Sequence, residues 1–312
     1  MRATAERLAA LPLVVDDVRV RSASVPLASY PGERRPHSVV TLTGDGRAGM
    51  GEHVGWSDAE HAAFARAAAA APRGRWQLGA WSAALAGTPY DRAALEAAAL
   101  DLALRQRETS LFALAGIAPR PVRYVVSFAR TADPVAEAQR HPGAELKIDV
   151  DPGWDERVWR GLAALGRVAV LDFKGAAGAP RAHRWLPAAL LEDAADPVAP
   201  RASFDAPLHA AVDLDRLPVR PAAVNLKPAR MGGVLEVLRL ARRCAAAGIA
   251  VYLGGMFEAG VGRRQLHALA ALLCPEGPND VAPLSGPRPG RLVVDAAAPG
   301  FGGILARAPG AC

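Results

Sequence analysis

The 312-residue sequence predicts an α/β protein in which a small N-terminal α+β module precedes a parallel β/α barrel. Three observations carry that reading. Residues 14–54 alternate like strands, while residues 58–107 are rich in Ala and Leu with charges at helical spacing. From residue 122 onward seven short apolar runs recur with helical or loop segments between them, as strands buried on both faces do. Several of these runs end in an ionisable residue, where the mouth of a barrel lies.

The elements follow in order. Residues 14–25 alternate in part and predict a strand, residues 38–42 a second one, and the polar, Pro-punctuated stretch 30–37 joins them. Gly44-Asp45-Gly46 is a hairpin turn into a third strand at 48–54. Helices are expected at 58–71 and 92–107, with Ser57 and Asp91 as N-caps. The module ends near Ala118, and Pro119, Arg120 and Pro121 suit a linker. The seven barrel strands are expected at 122–128, 144–150, 168–173, 189–192, 202–205, 222–227 and 249–253. Glu192 follows Asp172 by 20 residues and Asp205 follows Glu192 by 13, too little for a full helix and strand in each unit. The third and fourth barrel helices should therefore be shortened. The expected domains are 1–118 and 119–289, with 290–312 packing back on the first.

Composition narrows the function classes. The formal charge of +6 comes from 37 basic against 31 acidic residues, but the arginines are scattered without a stripe of interleaved aromatics, which argues against a nucleic-acid surface. No run of about 18 uncharged apolar residues suggests a membrane span. Cys244, Cys274 and Cys312 have neither metal nor redox spacing, and with no clear leader at the N-terminus a reducing cytoplasmic setting is the expectation.

The strand ends carry the chemistry: Lys147 with Asp149, Asp172 with Lys174, Glu192 with Asp193, then Asp205, Lys227 and Glu258. Three carboxylates from three successive strands suit one hard divalent cation. Such a cation stabilises the enediolate formed when a base removes the proton next to a carboxylate. Lysine suits that base, because crowding and burial draw its pKa towards neutrality.

At these residues the chain resembles the enolase superfamily and, within it, the muconate lactonizing enzyme subgroup that includes o-succinylbenzoate synthase, N-acylamino acid racemase and dipeptide epimerases. The stretches that carry the likeness are Asn225-Leu226-Lys227-Pro228-Ala229-Arg230-Met231-Gly232-Gly233 and Gly254-Gly255-Met256-Phe257-Glu258-Ala259-Gly260-Val261-Gly262, with Leu146-Lys147-Ile148-Asp149 similar to the second barrel strand. The resemblance implies a capping domain on a modified (β/α)7β TIM-type barrel that uses Mg2+. It gives Asp172, Glu192 and Asp205 the metal-ligand positions, Lys227 the sixth-strand acid/base position and Glu258 a place at the rim. Substrate-selecting residues are expected in the loops 30–37 and 51–56, which makes Arg34, Arg35, His37 and His53 candidates; Ser127 in the first barrel strand joins them. A small carboxylate substrate is implied, and a homo-oligomer is compatible with the family although the sequence carries no interface signal.

The departures matter as much. The subgroup's second strand ends Lys-x-Lys, whereas this chain keeps Lys147 but has Asp149 in the second place. Lys174, two residues past Asp172, falls on the same strand face and can replace the missing lysine as base, pair with Asp149, or take the cation position and make Mg2+ unnecessary. A single lysine base favours elimination, as in a synthase-like dehydration, over racemisation; cycloisomerisation and epimerisation stay open. The alternative is a paralogue that binds a small carboxylate without turning it over.

Overall fold

The computed structural model describes residues 2–26, 34–283, 290–295, 298–302 and 305–307. The N-terminal half runs α1 (Arg2–Ala9), β1 (Pro12–Val15), β2 (Asp17–Pro26), β3 (Arg34–Gly44), β4 (Arg47–His53), α2 (Asp58–Ala69), β5 (Gly74–Gln77), α3 (Leu78–Ala83), α4 (Pro89–Gln106) and α5 (Leu111–Ala115). Strands β2, β3 and β4 form an antiparallel meander, and β1 leaves it to pair with β5. The strand expected at 14–25 is thus two strands, broken at Asp16. Asp45 and Gly46, with φ of 48° and 68°, make the tight hairpin that the Gly-Asp-Gly triplet predicts. Of the loop expected at 30–37, residues 30–33 lie outside the described residues, as does Cys312.

Helix α4 is the hinge of the architecture. A Cβ at Gly51 would stand 2.0 Å from Ala94 O, and one at Gly49 would stand 2.2 Å from Leu102 N, so α4 lies directly on β4 because those two positions have no side chain. The helix starts at Thr88, whose hydroxyl accepts from Asp91 N while the Asp91 carboxylate accepts from Thr88 N. Asp91 is therefore the third residue of a capping box rather than the cap itself. Ser57 caps α2 as expected, reciprocally with Glu60.

The second half runs β6 (Val126–Phe128), α6 (Pro134–Gln139), β7 (Leu146–Asp149), α7 (Glu156–Leu165), β8 (Val168–Asp172), α8 (Ala179–Trp185), β9 (Leu190–Glu192), β10 (Ala202–Phe204), a 3-10 turn (Ala211–Arg216), β11 (Ala223–Leu226), α9 (Pro228–Met231), α10 (Val234–Ala246), β12 (Ala250–Leu253) and α11 (Val261–Leu273). Strands β6 to β12 form one curled, all-parallel sheet in sequence order. Residues 279–281 stand in for an eighth strand. Asn279 bridges Tyr124 beside β6, and Asp280 bridges Gly254 beside β12. The buried Asn279 side chain secures this seam by accepting from Leu253 N at 2.8 Å and donating to Arg123 O at 2.9 Å.

The third barrel helix is seven residues long and none joins β9 to β10, as the short spacings require. The fifth is also reduced, to the 3-10 turn. Two short strands, β13 (Leu292–Val294) and β14 (Leu305–Arg307), follow, and Phe301 returns to the first half, where its N–H donates to Asp101 at 2.8 Å.

Candidate active site

The parallel register sets the floor of the site. Asp149 lies beside Asp172, Asp172 beside Glu192, and Glu192 beside Ser203, so three carboxylates share one level at the C-terminal ends of β7, β8 and β9. Asp205 is two residues beyond Ser203 and so one step nearer the mouth on the same face. Lys227 directly follows β11, where its backbone begins α9.

Cations alternate with these carboxylates. The Lys147 ammonium, 2% exposed, bonds Glu192 Oε1, lies 3.2 Å from Asp172 Oδ2 and is 3.8 Å from Asp280. Lys174 Nζ bonds Asp172 and is 3.2 Å from Asp149 Oδ1. Lys227 Nζ is 2.6 Å from Asp205 Oδ2, while Arg230 holds the other Asp205 oxygen. Below them Glu192 Oε2 accepts from Tyr252 OH and, at 3.2 Å, from Asn225 Nδ2, and Tyr252 also shares a 2.8 Å bond with Ser203.

Electrostatics follow from this layering. Burial alone would lower the Lys147 pKa, but Glu192, Asp172 and Asp280 outweigh it and hold the ammonium well above its ordinary value. Burial likewise opposes the Lys174 charge, yet Asp172 and Asp149 push its pKa up to about 12. Asp149 is raised by burial, with Lys174 acting against the rise. Glu192 is pushed up to about 8 by burial despite Lys147.

Above this floor opens a cavity of about 940 Å3. Ser127, Lys147, Asp149, Lys174, Asp193, Asp205, Lys227, Arg230, Arg263 and Asp280 supply its polar lining, and Trp56, Phe128, Phe204, Met256 and Phe257 belong to its apolar wall. All four residues read as catalytic, Lys227, Lys147, Asp149 and Lys174, therefore reach one space, with Ser127 beside them.

The donor set suits a hard cation. Every candidate ligand is a carboxylate oxygen, and a monovalent stand-in, the Lys147 ammonium, already sits between Asp172 and Glu192. Lys174 bonds the same Asp172 oxygen from the Asp149 side and makes no bond to Glu192. Asp205 is turned to Lys227 and Arg230, so the compact trio within 4.8 Å is Asp172, Glu192 and Asp193. Asp193 in turn accepts from Asp205 N and Ala206 N, both at 2.9 Å.

Of the loops expected to select substrate, 51–56 brings Trp56 to the cavity, whereas the residues singled out in them lie elsewhere. His37 Nδ1 bonds Glu52 at 2.7 Å, and His53 Nε2 lies 3.0 Å from Asp91 with its ring stacked 4.2 Å from Phe64; both are buried away from the cavity. Strand alternation turns Arg34 outward to Ser24 and Arg35 inward, so Arg34 is not at the cavity either. Glu258 is buried behind the wall, where it accepts from Met256 N at 2.8 Å. The residues that sequence reasoning passed over are Arg230, Asp280, Arg263, Tyr252 and the aromatic pair Trp56 and Phe257. Arg230 was within reach, three positions after Lys227 at helical spacing. Asp280 was not, because 279–281 carries no apolar run.

Two family models match the chain, described as domain of unknown function DUF8230: its N-terminal domain over residues 6–114 and its C-terminal domain over residues 118–285. An N-succinylamino acid racemase of Amycolatopsis sp is 32% identical over 213 residues, 58% of this chain and 57% of that protein. One from Thermus thermophilus is 29% identical over 230 residues, 64% and 61% of the two chains. The match thus spans about three fifths of these relatives' length. A 49-residue stretch is 55% identical to o-succinylbenzoate synthase of Listeria innocua, covering 16% of this chain and 13% of that one. Among solved structures, a dipeptide epimerase from Methylococcus capsulatus complexed with Mg ion superposes with a TM-score of 0.75 at 22% identity, covering 93% of this chain and 99% of its own. Muconate cycloisomerase from Pseudomonas fluorescens gives 0.73 at 21% identity, covering 94% and 97%.

Proposed function

The chain belongs to the DUF8230 family and lies within the enolase superfamily, and from that premise we propose that it is an acid/base enzyme that removes the proton α to the carboxylate of a small organic acid. The observation that carries this is the convergence of Lys227 with Asp149 and Lys174 on one cavity, although three strands separate β11 from β7 and two separate it from β8 in the curled sheet.

Lys227 takes the α-proton. Arg230 holds Asp205 independently, so that carboxylate keeps a cationic partner when Lys227 is neutral. On the β7 side Asp149, raised by burial and paired at 3.2 Å with the firmly cationic Lys174, is the group able to exchange a proton, and Lys174 supplies charge. Asp172 and Glu192, with Asp205 or Asp193, would hold Mg2+, which when bound supplies positive charge against the developing enediolate. Asp205 joins such a set by turning from Lys227. A lysine opposed by a carboxylate that exchanges a proton serves elimination, cycloisomerisation or epimerisation. Residues 1–118 act as the capping domain over a barrel of 119–289, a division supported by the break between the two family models at 114 and 118. Among the described residues no helix is long and apolar enough to cross a membrane.

The Lys147 ammonium lodged between Asp172 and Glu192 favours a second reading, a pocket that binds carboxylates without turnover. Exchange of substrate α-protons with deuterated solvent separates the two. The assay takes N-acyl amino acids, dipeptides and succinylbenzoate-like acids, with and without Mg2+. Exchange that disappears in Lys227→Ala supports the enzyme; no exchange with any acid leaves the binding protein.

A further inference from the structure

Arg35 is buried at 3% exposure and bonds three backbone carbonyls. Nε donates to Gly55 O at 3.0 Å, Nη1 to Met256 O at 3.1 Å and Nη2 to Val54 O. The guanidinium lies 3.7 Å from the centroid of the Trp56 ring and 5.1 Å from that of Phe257. Those two rings meet edge to face, 5.8 Å apart at 76°. Each kind of contact has one end in the loop after β4, at Val54, Gly55 and Trp56, and the other in the loop after β12, at Met256 and Phe257.

Only a guanidinium does both jobs at once. Its fixed fork satisfies carbonyls in its plane, while its faces stay free for aromatic rings. Phe257 has φ +72°, a left-handed backbone that an aromatic residue adopts only when its surroundings over-determine it. Trp56 is 55% exposed yet lines the cavity, so burial alone does not fix its place.

We infer that Arg35 is a positioning residue: it locks residues 54–57 to residues 255–258 and so fixes Trp56 and Phe257 as an aromatic wall over the cavity that holds Lys227. The wall receives the apolar remainder of the substrate, a part of the inference that rests on the proposed reaction; the lock itself does not.

Amide hydrogen exchange on the full chain tests the lock without any substrate. Trp56→Ala, at an exposed position, is expected to speed exchange across 255–258 in the other loop, and Phe257→Ala to speed it across 54–57. The acceleration should be roughly three- to tenfold, as loss of one cation–π contact implies. Unchanged exchange in the opposite loop for both variants overturns the lock. Arg35→Lys keeps the charge but not the fork or the flat face, and should accelerate both loops together. Wild-type exchange in both loops of that variant also overturns the proposal, and if it fails to fold the two aromatic variants still decide. With any acid that exchanges its α-proton, Trp56→Ala should raise KM roughly tenfold while kcat stays within about threefold, as lost uniform binding does. A loss confined to kcat overturns the wall. If no acid exchanges, the proposed reaction fails and the hydrogen-exchange result still stands.

Discussion

Glu52 and Glu192 are both glutamates closed off from solvent, and they differ in what surrounds the charge. Glu52 in β4 accepts from His37 and from the N–H groups of Ala259, Gly260 and Gly262 at the start of α11. Burial would raise its pKa, but those donors bring it below the ordinary 4.5. Glu192 at the end of β9 has one ammonium, one amide and one phenol, and burial carries it up to about 8. Fixed backbone dipoles hold the first charge permanently. The second depends on the side-chain ammonium of Lys147, which lines the cavity.

Backbone partners recur in the N-terminal half, although burial raises the pKa of Glu96 despite them. Glu96 of α4 accepts from Leu235 N at 2.9 Å at the start of α10, and Asp101 accepts from Met50 N and Phe301 N. Buried carboxylates of the N-terminal half thus cap backbone belonging to other elements, two of them the barrel helices that follow β11 and β12. At the barrel mouth Asp149, Asp172, Glu192 and Asp205 meet side-chain cations instead, while Asp193 accepts from backbone N–H groups. A buried acid read alone does not reveal which kind it is; its partner does.

This contrast breaks most sharply at its two extremes. Lys227→Ala should cut α-proton exchange by roughly 10²–10⁴-fold, the usual contribution of a general base, and leave the unfolding midpoint in denaturant almost unchanged. Glu52→Ala should do the reverse. Stripping the caps of α11 and leaving His37 without its buried partner should destabilise the fold by about 3–5 kcal/mol, with the activity of the remaining folded fraction preserved.

Acid titration sharpens the Glu52 side. Its native pKa lies below the unfolded value, so its stabilisation is complete above pH 4.5 and is lost as pH falls below 4.5 through the native value. Denaturant unfolding at stepped pH should show that acid loss in the wild type and a flatter limb in Glu52→Gln. On the Glu192 side, Mg2+ at a hundredfold excess over its Kd should stabilise the wild type by about 2.7 kcal/mol, read as a rise in Tm. Asp172→Asn should abolish the rise, and an equal rise in that variant would exclude Asp172 as a ligand. Smallest of all, Arg34→Ser should change stability by no more than about 0.5 kcal/mol, because that side chain is exposed and outside the cavity.

What the sequence made legible was local. A strand that ends in an ionisable residue is a pattern of adjacent positions, so Lys147, Asp149, Asp172, Glu192, Asp205 and Lys227 could be found before any contact was known. Short spacing showed the missing helices in the same way. The loops 30–37 and 51–56 were read from resemblance alone, and adjacent positions did not show which way their side chains turn: Arg34 meets Ser24, His37 meets Glu52 and His53 meets Asp91.

Composition and periodicity therefore determined the α/β class, the order of the barrel strands and which polar residues end them. The curled sheet decided who pairs with whom. Lys147 meets Glu192 across 45 residues and Arg35 meets Met256 across 221, and nothing in either stretch of chain marks the other. The physical reason is range: strand alternation and helix caps act over two to four residues, whereas a buried charge takes whichever partner the folded chain brings within about 4 Å.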